Sequence, residues 1–170
     1  MVLLRALARL HDALSRITAV LGAACLGGIV LLYGTEVVMR YWLLSPTSWT
    51  AAVAVYLMLG MVMLTAPLLT ARSEHVTASV IETIMPPRVA RFVATLLALT
   101  ACAVCLTAAW FALQETLRSH ARGVLTTDTL YIPRWWLLSL LVYGLTSSAV
   151  HFLRHFLAGL KPTNTAGAAR

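Results

Sequence analysis

Four long apolar stretches alternate with short polar segments along the chain. The apolar stretches cover about residues 17–39, 50–70, 91–113 and 134–156. A helix needs about 20 predominantly apolar residues to cross the roughly 30 Å of hydrocarbon in a bilayer. The pattern therefore predicts an all-α membrane protein with four transmembrane helices, which together form one membrane domain over residues 17–157.

The residues before the first span divide between two faces of a helix. At about 100° per residue, one face collects leucines and the opposite face collects charges. The apolar positions are Leu3, Leu7, Leu10, Leu14 and Ile17, and the charged positions are Arg5, Arg9, Asp12 and Arg16. This pattern predicts an amphipathic helix over residues 1–16 that lies in the plane of the lipid headgroups. The alternative, that these residues simply cap the first membrane helix on its cytoplasmic side, stays open.

A polar segment, residues 71–91, separates the second and third spans and is expected to form an aqueous loop. Ser73 is suited to cap a short helix within it, and Pro86-Pro87 would end that helix. The apolar positions of this helix favour a place on the membrane surface.

The polar segment between the third and fourth spans, residues 114–133, contains a glycine and ends at a proline. The third helix is expected to continue to Arg122 and to stop at Gly123. Pro133 is suited to the first position of the fourth helix. Residues 158–170 are small and polar, which predicts a disordered cytoplasmic tail.

Small residues concentrate in the first span, where they would permit close approach of another helix. They are Gly22, Ala23, Ala24, Gly27 and Gly28. This region is the candidate in the first span for contact with a partner subunit.

Composition agrees with a membrane protein, because 60% of the residues are hydrophobic and only 11% are charged. Soluble domains carry about 25% charged residues. The formal net charge of +7 would suggest nucleic acid in a soluble protein, but here arginines flank apolar stretches and are suited to lipid headgroups. We therefore expect membrane lipids, and not nucleic acid, as partners.

The distribution of lysine and arginine predicts the orientation. With a cytoplasmic N-terminus, nine basic residues lie inside and four lie outside, which supports both termini in the cytoplasm. The inside set is Arg5, Arg9, Arg16, Arg72, Arg88, Arg91, Arg154, Lys161 and Arg170, and the outside set is Arg40, Arg118, Arg122 and Arg134.

Candidate chemistry is sparse along the chain. Glu36 and Arg40 are four residues apart, which predicts an interfacial salt bridge and disfavours proton coupling through Glu36. The cysteine pair Cys102 and Cys105 lies among apolar residues in mid-span, which indicates packing and not redox chemistry. Glu74-His75 lacks the further ligands that a metal site needs. We expect no catalytic residue, no metal and no cofactor.

Several short motifs occur in a fixed order around the four spans. Arg40-Tyr41 closes the first span, and Ser45-Pro46-Thr47-Ser48-Trp49-Thr50 opens the second. Glu74-His75-Val76 follows the second span, and Thr129-Leu130-Tyr131-Ile132-Pro133 precedes the fourth together with Trp135-Trp136. The set resembles the small permease subunit of tripartite ATP-independent periplasmic (TRAP) transporters, the DctQ-like family. One departure is Ala51-Ala52, where members of that family often carry acidic residues.

The resemblance implies a secondary transporter in the bacterial inner membrane. It implies as partners a large permease subunit, which holds the substrate and sodium sites, and a periplasmic substrate-binding protein that delivers a dicarboxylate or sugar acid. The small subunit would be a static, non-catalytic scaffold in this symport of organic acids. The motif residues Glu36, Arg40, Tyr41, Pro46, Trp49, Glu74, His75, Pro133, Trp135 and Trp136 become signature or interface candidates by this resemblance.

One further hypothesis concerns docking of the binding protein, and two concern alternative functions. Arg118, Arg122 and Asp128 are candidates for docking of the binding protein. A four-helix membrane thiol oxidoreductase would use Cys102 and Cys105, but it needs a second cysteine pair that the far-side loops lack. A small proton-coupled exporter would need Glu36 near the middle of the membrane.

Overall fold

The computed structural model of the protein describes residues 2–45, 47–84, 86–126 and 130–159. These residues form four α-helices: α1 (Val2–Tyr41), α2 (Thr50–Ile84), α3 (Pro87–Ala121) and α4 (Arg134–Gly159). Within the described ranges there is no β-strand, and Leu125 and Pro133 form an isolated bridge. The prediction of an all-α protein is therefore confirmed.

Each of the four helices contains a segment long and apolar enough to cross a membrane. The segments are Ala8–Tyr41, Thr50–Arg72, Val89–Ala121 and Arg134–Leu157. They include the four predicted spans, and large apolar side chains are exposed along all of them. An exposed apolar surface of this extent is compatible with lipid as the solvent.

The helices do not pack in their order along the chain. α1 packs on α2, α2 packs on α4, and α4 packs on α3, whereas the contact between α2 and α3 is smaller. α2 and α4 therefore form the centre of the bundle, and α1 and α3 lie on opposite flanks. This arrangement leaves one long side of α1 without a neighbouring helix.

Two glycines allow α1 and α4 each to approach α2 closely. A Cβ atom at Gly22 of α1 would lie 2.6 Å from Thr65 Cγ2 of α2. A Cβ atom at Gly144 of α4 would lie 2.7 Å from the carbonyl oxygen of Met63. Neither position accepts a side chain without a shift of backbone or neighbour, so these glycines fix the distances between α1 and α2 and between α2 and α4.

The contact at Gly144 explains how α2 accommodates a proline. Pro67 lies inside α2 and has no N–H to donate to the Met63 carbonyl four residues earlier. The backbone at Gly144 occupies the space beside that carbonyl, and Pro67 itself is almost fully buried. α2 continues through the proline as one helix, with α4 packed against the carbonyl that the proline leaves without its helical donor.

The N-terminal segment was predicted as a helix separate from the first span, and this separation is not observed. α1 is continuous from Val2 to Tyr41, because residues 2–21 contain neither glycine nor proline to interrupt the helix. The in-plane position of residues 1–16 stays a prediction.

The aqueous loop predicted over residues 71–91 is replaced by helix. α2 runs on to Ile84 without a break at residue 71, again because no glycine or proline lies between Pro67 and Pro86. The predicted surface helix is thus the continuation of α2, and α3 already begins at Pro87. The helix end at Pro86-Pro87 was predicted correctly.

The boundaries at the far-side loop follow their glycine and proline signals. α3 ends at Ala121, and Gly123 has a φ of +60° in the left-handed region that favours glycine. The Val124 N–H donates to the Ser119 carbonyl at 3.1 Å and closes the turn. α4 begins at Arg134, directly after Pro133. Most of the predicted tail, residues 160–170, lies outside the described residues.

Candidate functional site

The connection between α1 and α2 is held by hydrogen bonds to one carboxylate. Arg40 Nη2 donates to Glu36 Oε1 at 2.9 Å, as the four-residue spacing predicts. The hydroxyls of Thr47 and Thr50 both donate to Glu36 Oε2, the second at 2.9 Å. Glu36 is buried, whereas Arg40 is largely exposed. We call Glu36, Arg40, Thr47 and Thr50 the Glu36 cluster.

The Glu36 cluster links the end of α1 to the start of α2 through side-chain hydrogen bonds, which is a structural role. Glu36 lies in the last turns of α1, Thr50 is the first residue of α2, and Thr47 lies between the two helices. Because these three donors to the carboxylate come from the end of α1, the connection and the start of α2, the cluster fixes the orientation of α2 relative to α1. Pro46, one of the signature candidates, lies outside the described residues.

Aromatic side chains surround this end of the bundle. Tyr41 and Trp49, which flank the α1–α2 connection, are both exposed. Trp135 and Trp136 at the start of α4 meet edge to face with ring centroids 5.8 Å apart, and His120 of α3 contacts Trp135 in the same way at 5.1 Å. Such amphipathic rings are suited to the headgroup level of a membrane.

The candidates for docking of a binding protein are only partly described. Arg118 and Arg122 are exposed at the C-terminal end of α3, and Arg118 Nη2 donates to Gln114 Oε1 at 3.4 Å. Asp128 lies outside the described residues. Two of the three candidates are therefore on the same helix end and open to solvent.

Glu74 and His75 do not join the other signature residues. They lie in α2 beyond Arg72, on the side of the bundle opposite to the Glu36 cluster, and their side chains are outside the description. The motif residues between Glu36 and His75 are thus separated by the length of a span and form no single site.

A second polar cluster, between α1 and α4, was not predicted from the sequence. Ser15 Oγ donates to the His11 carbonyl at 2.9 Å and lies 3.1 Å from His151 Nε2. The His11 and His151 rings are 4.5 Å apart, and Ser147 Oγ lies 3.3 Å from His11 Nε2. Tyr143 donates to Thr18 at 3.1 Å. We call His11, Ser15, Thr18, Tyr143, Ser147 and His151 the His151 cluster.

Four members of the His151 cluster are buried between the two helices, and His11 and Tyr143 are half-buried. Ser15 and His151 are 1% and 2% exposed. His151 near the end of α4 is hydrogen-bonded to Ser15 of α1. The signal in the sequence is a polar stripe at helical spacing, Tyr143, Ser147 and His151, on an otherwise apolar helix.

Beside this cluster, a basic cleft opens between α1, α2 and α4. Its volume is about 440 Å³, and we define it by Asp12, Ser15, Arg16, Arg72, His151 and Arg154. Arg154 donates to the two carboxylate oxygens of Asp12 through its two terminal guanidinium nitrogens, Nη1 and Nη2, and the longer contact is 3.3 Å. His155 Nε2 lies 3.1 Å from the Thr70 carbonyl and joins α4 to α2.

The cysteines are placed for packing. Cys25, Cys102 and Cys105 are all free, and Cys102 is buried with its thiol 3.5 Å from the Ala149 carbonyl of α4. Among the residues that the structure describes, no group of three His, Cys, Asp or Glu residues could hold a metal ion.

Comparison with protein families gives one result for this chain. The family model described as "Tripartite ATP-independent periplasmic transporters, DctQ component" matches residues 29–161. The matched range begins in the last third of α1, includes α2, α3 and α4, and reaches past the end of α4. A search of curated proteins finds no matching relative.

Proposed function

Because the chain belongs to the DctQ family of tripartite ATP-independent periplasmic transporters, we propose that it is the non-catalytic scaffold on which a large permease subunit moves. In this proposal the complex takes up an organic acid, a dicarboxylate or a sugar acid, by sodium symport. A periplasmic protein binds the acid and delivers it. The chain lies in the bacterial inner membrane with both termini in the cytoplasm.

The observation that carries the proposal is that the matched residues contain all of α2, α3 and α4 and the last third of α1, and each of these helices is able to span a membrane. Two groups of polar side chains, the Glu36 cluster and the His151 cluster, are engaged in hydrogen bonds that join α1 to its neighbours. Transport sites are typically formed by interrupted helices near the membrane midplane. α2 continues through Pro67 without interruption, which supports a rigid scaffold.

The exposed side of α1 is the surface that we propose for the large subunit. Residues at alternating three- and four-residue steps form one stripe along the helix, and all of them are exposed. The exposed α1 stripe consists of Ile17, Val20, Ala24, Gly27, Leu31, Gly34 and Val38. A Cβ atom at Gly27 or Gly34 would meet no atom within 4 Å, so these small residues serve no contact within the described chain. Small residues in a membrane helix let a partner helix approach closely.

The periplasmic end is proposed to receive the binding protein. Arg118 and Arg122 offer exposed charge at the end of α3, and with Asp128 they are the candidates for its docking. This contact would steer the loaded binding protein by electrostatic attraction, so it should weaken as ionic strength increases.

Neither alternative is favoured by the geometry. An oxidoreductase that uses Cys102 would need an accessible thiolate, and this thiol is buried against α4. An exporter that couples protons through Glu36 would need that carboxylate to exchange protons, whereas Arg40, Thr47 and Thr50 hold it at the end of α1.

The test is assembly and uptake with the complete transporter. Tagged full-length chain expressed with the large permease subunit should retain that subunit during purification in detergent, and removal of the chain should abolish uptake of the organic acid. Uptake that continues at the normal rate without the chain, or a chain that purifies as a stable monomer in the presence of the large subunit, would contradict the proposal.

A further inference from the structure

The basic cleft has the dimensions of a ligand site. Its volume of about 440 Å³ falls within the range of about 300–1,000 Å³ that is common for small-molecule pockets. Three helices contribute to it: α1 through Asp12, Ser15 and Arg16, α2 through Arg72, and α4 through His151 and Arg154. A ligand bound there would contact elements that are far apart in the sequence.

The charge of the cleft favours an anion. Asp12 supplies the carboxylate, and both of its oxygens are engaged by Arg154. Arg16 and Arg72 are exposed, and within the described residues neither forms a salt bridge. The four charged side chains thus give the cleft an excess of two positive charges. Arginine presents a planar fork of N–H donors that matches the oxygens of a phosphate.

The inner surface of the cleft is polar and already organised. Ser15 and His151 are almost fully buried there and lie 3.1 Å from each other. Because the contacts of the His151 cluster fix these side chains, a bound anion would meet a surface that needs little rearrangement. Preorganisation of this kind reduces the free-energy cost of binding.

The position of the cleft along the helices distinguishes a lipid from a soluble anion. Arg72 is the last residue of the apolar segment of α2, and Arg154 lies one turn before the end of that of α4. Leu68 lines the cleft. Ile17, Leu69 and Leu153, each next in sequence to a residue that lines the cleft, are exposed. Arginines at the ends of spans, with apolar side chains next to them, match a phosphate headgroup followed by acyl chains.

We propose that the basic cleft binds the headgroup phosphate of an anionic phospholipid, with Arg16 and Arg72 as its principal ligands. The bound lipid bridges α1, α2 and α4 at the end of the bundle where Asp12 and Arg154 already join the first and last helices. Its acyl chains lie along the exposed apolar side chains of the same helices.

The test measures lipid binding to the full-length chain purified in a neutral detergent. Phosphatidylglycerol, phosphatidylcholine and inorganic phosphate are titrated separately, and bound lipid is counted by native mass spectrometry while the thermal midpoint is followed. Phosphatidylglycerol should bind and raise the midpoint of the unaltered chain. The double variant Arg16→Gln/Arg72→Gln should bind it about 30-fold more weakly, because each arginine near an anionic lipid contributes about 1 kcal/mol.

Two matched variants control for charge and position. Arg118→Gln/Arg122→Gln removes two exposed arginines at the opposite end of the bundle and should leave the affinity unchanged. Arg16→Lys/Arg72→Lys keeps both charges but loses the planar fork of donors, so it should weaken binding less than the double glutamine variant does. If the double glutamine variant aggregates, Arg72→Gln alone decides the matter, with an expected weakening of about fivefold.

Three results would overturn the proposal. They are equal affinity of the unaltered chain and the Arg16→Gln/Arg72→Gln variant, binding of phosphatidylcholine as tight as that of phosphatidylglycerol, and full stabilisation by inorganic phosphate alone. The last result would identify the cleft as a site for a soluble anion.

Discussion

Glu36 holds the α1–α2 connection because three side chains donate to its two oxygens. The i,i+4 spacing of a helix made the contact with Arg40 predictable from the sequence. The contacts of Thr47 and Thr50 were not predictable, since they depend on the path of the turn, in which Leu44 has a φ of +52°. This backbone conformation is rare for a bulky residue and carries no signal in the hydrophobic pattern.

The hydrogen bonds to Glu36 predict how strongly substitutions in the Glu36 cluster lower the stability of the chain relative to one another. Glu36→Gln removes the charge that all three donors share, whereas Arg40→Gln removes only one donor, which is itself largely exposed. We expect the thermal midpoint of the purified chain to fall more for Glu36→Gln than for Arg40→Gln. Thr47→Val should fall between the two. An equal or greater loss for Arg40→Gln would mean that the salt bridge, and not the pair of threonines, holds the turn.

At the scale of whole elements, glycine and proline predicted helix ends well, and changes of polarity predicted them poorly. The ends at Pro86-Pro87, at Gly123 and beside Pro133 agree with the structure. The boundaries expected near residues 16 and 71 do not exist, because a helix can pass from polar to apolar surroundings without interrupting its hydrogen bonds. Polarity reports the environment of a helix and did not report its end at these two places. Glycine and proline marked the ends listed above, although Pro67 and Gly144 lie inside continuous helices.

Two glycines on different helices should respond in opposite ways to the same substitution. Gly144→Leu forces a side chain against the Met63 carbonyl and should cost about 1–3 kcal/mol in the free energy of unfolding. Gly27→Leu meets no atom of the chain and replaces a poor helix former, so the isolated chain should keep or gain stability. Thermal unfolding of the two purified variants measures the difference.

The Gly27→Leu variant also tests the exposed α1 stripe. A leucine there should prevent close approach of a partner helix, so less of the large subunit should be retained during purification. Ala103→Leu enlarges an exposed small residue on α3 and serves as the control, with unchanged retention expected. Equal retention by both variants would exclude this part of α1 from the interface.

For the molecule as a whole, the number of helices was predictable but their packing order was not. Hydrophobic length gives four spans, whereas the sequence α1, α2, α4, α3 in space depends on which faces interlock, as at Gly22 and Gly144. The His151 cluster was missed for the same reason. His11 and His151 are 140 positions apart, and only the packed bundle brings their rings to 4.5 Å.

The orientation predicted from arginine and lysine is testable on the intact molecule. Single cysteines introduced at Ser45 and Arg122 should react in whole cells with a maleimide that does not cross the membrane. A cysteine introduced at Pro86 should react only after the membrane is opened. All three positions are exposed, and the native Cys102 is buried. Labelling of the Pro86→Cys variant in intact cells would contradict the predicted orientation and would indicate that the termini lie outside.

The contact between Gly144 and Met63 determines how α2 responds to force. A proline within a helix normally creates a hinge, because one hydrogen bond is lost and the chain can bend there. Here the backbone of α4 packs against α2 at the Met63 carbonyl, where the hydrogen bond is missing, and Pro67 has almost no exposed surface. This packing should limit the movement of α2 about Pro67. If a large subunit slides against this bundle, little of the free energy of that movement should be spent on deforming the bundle, and most should remain for moving the substrate.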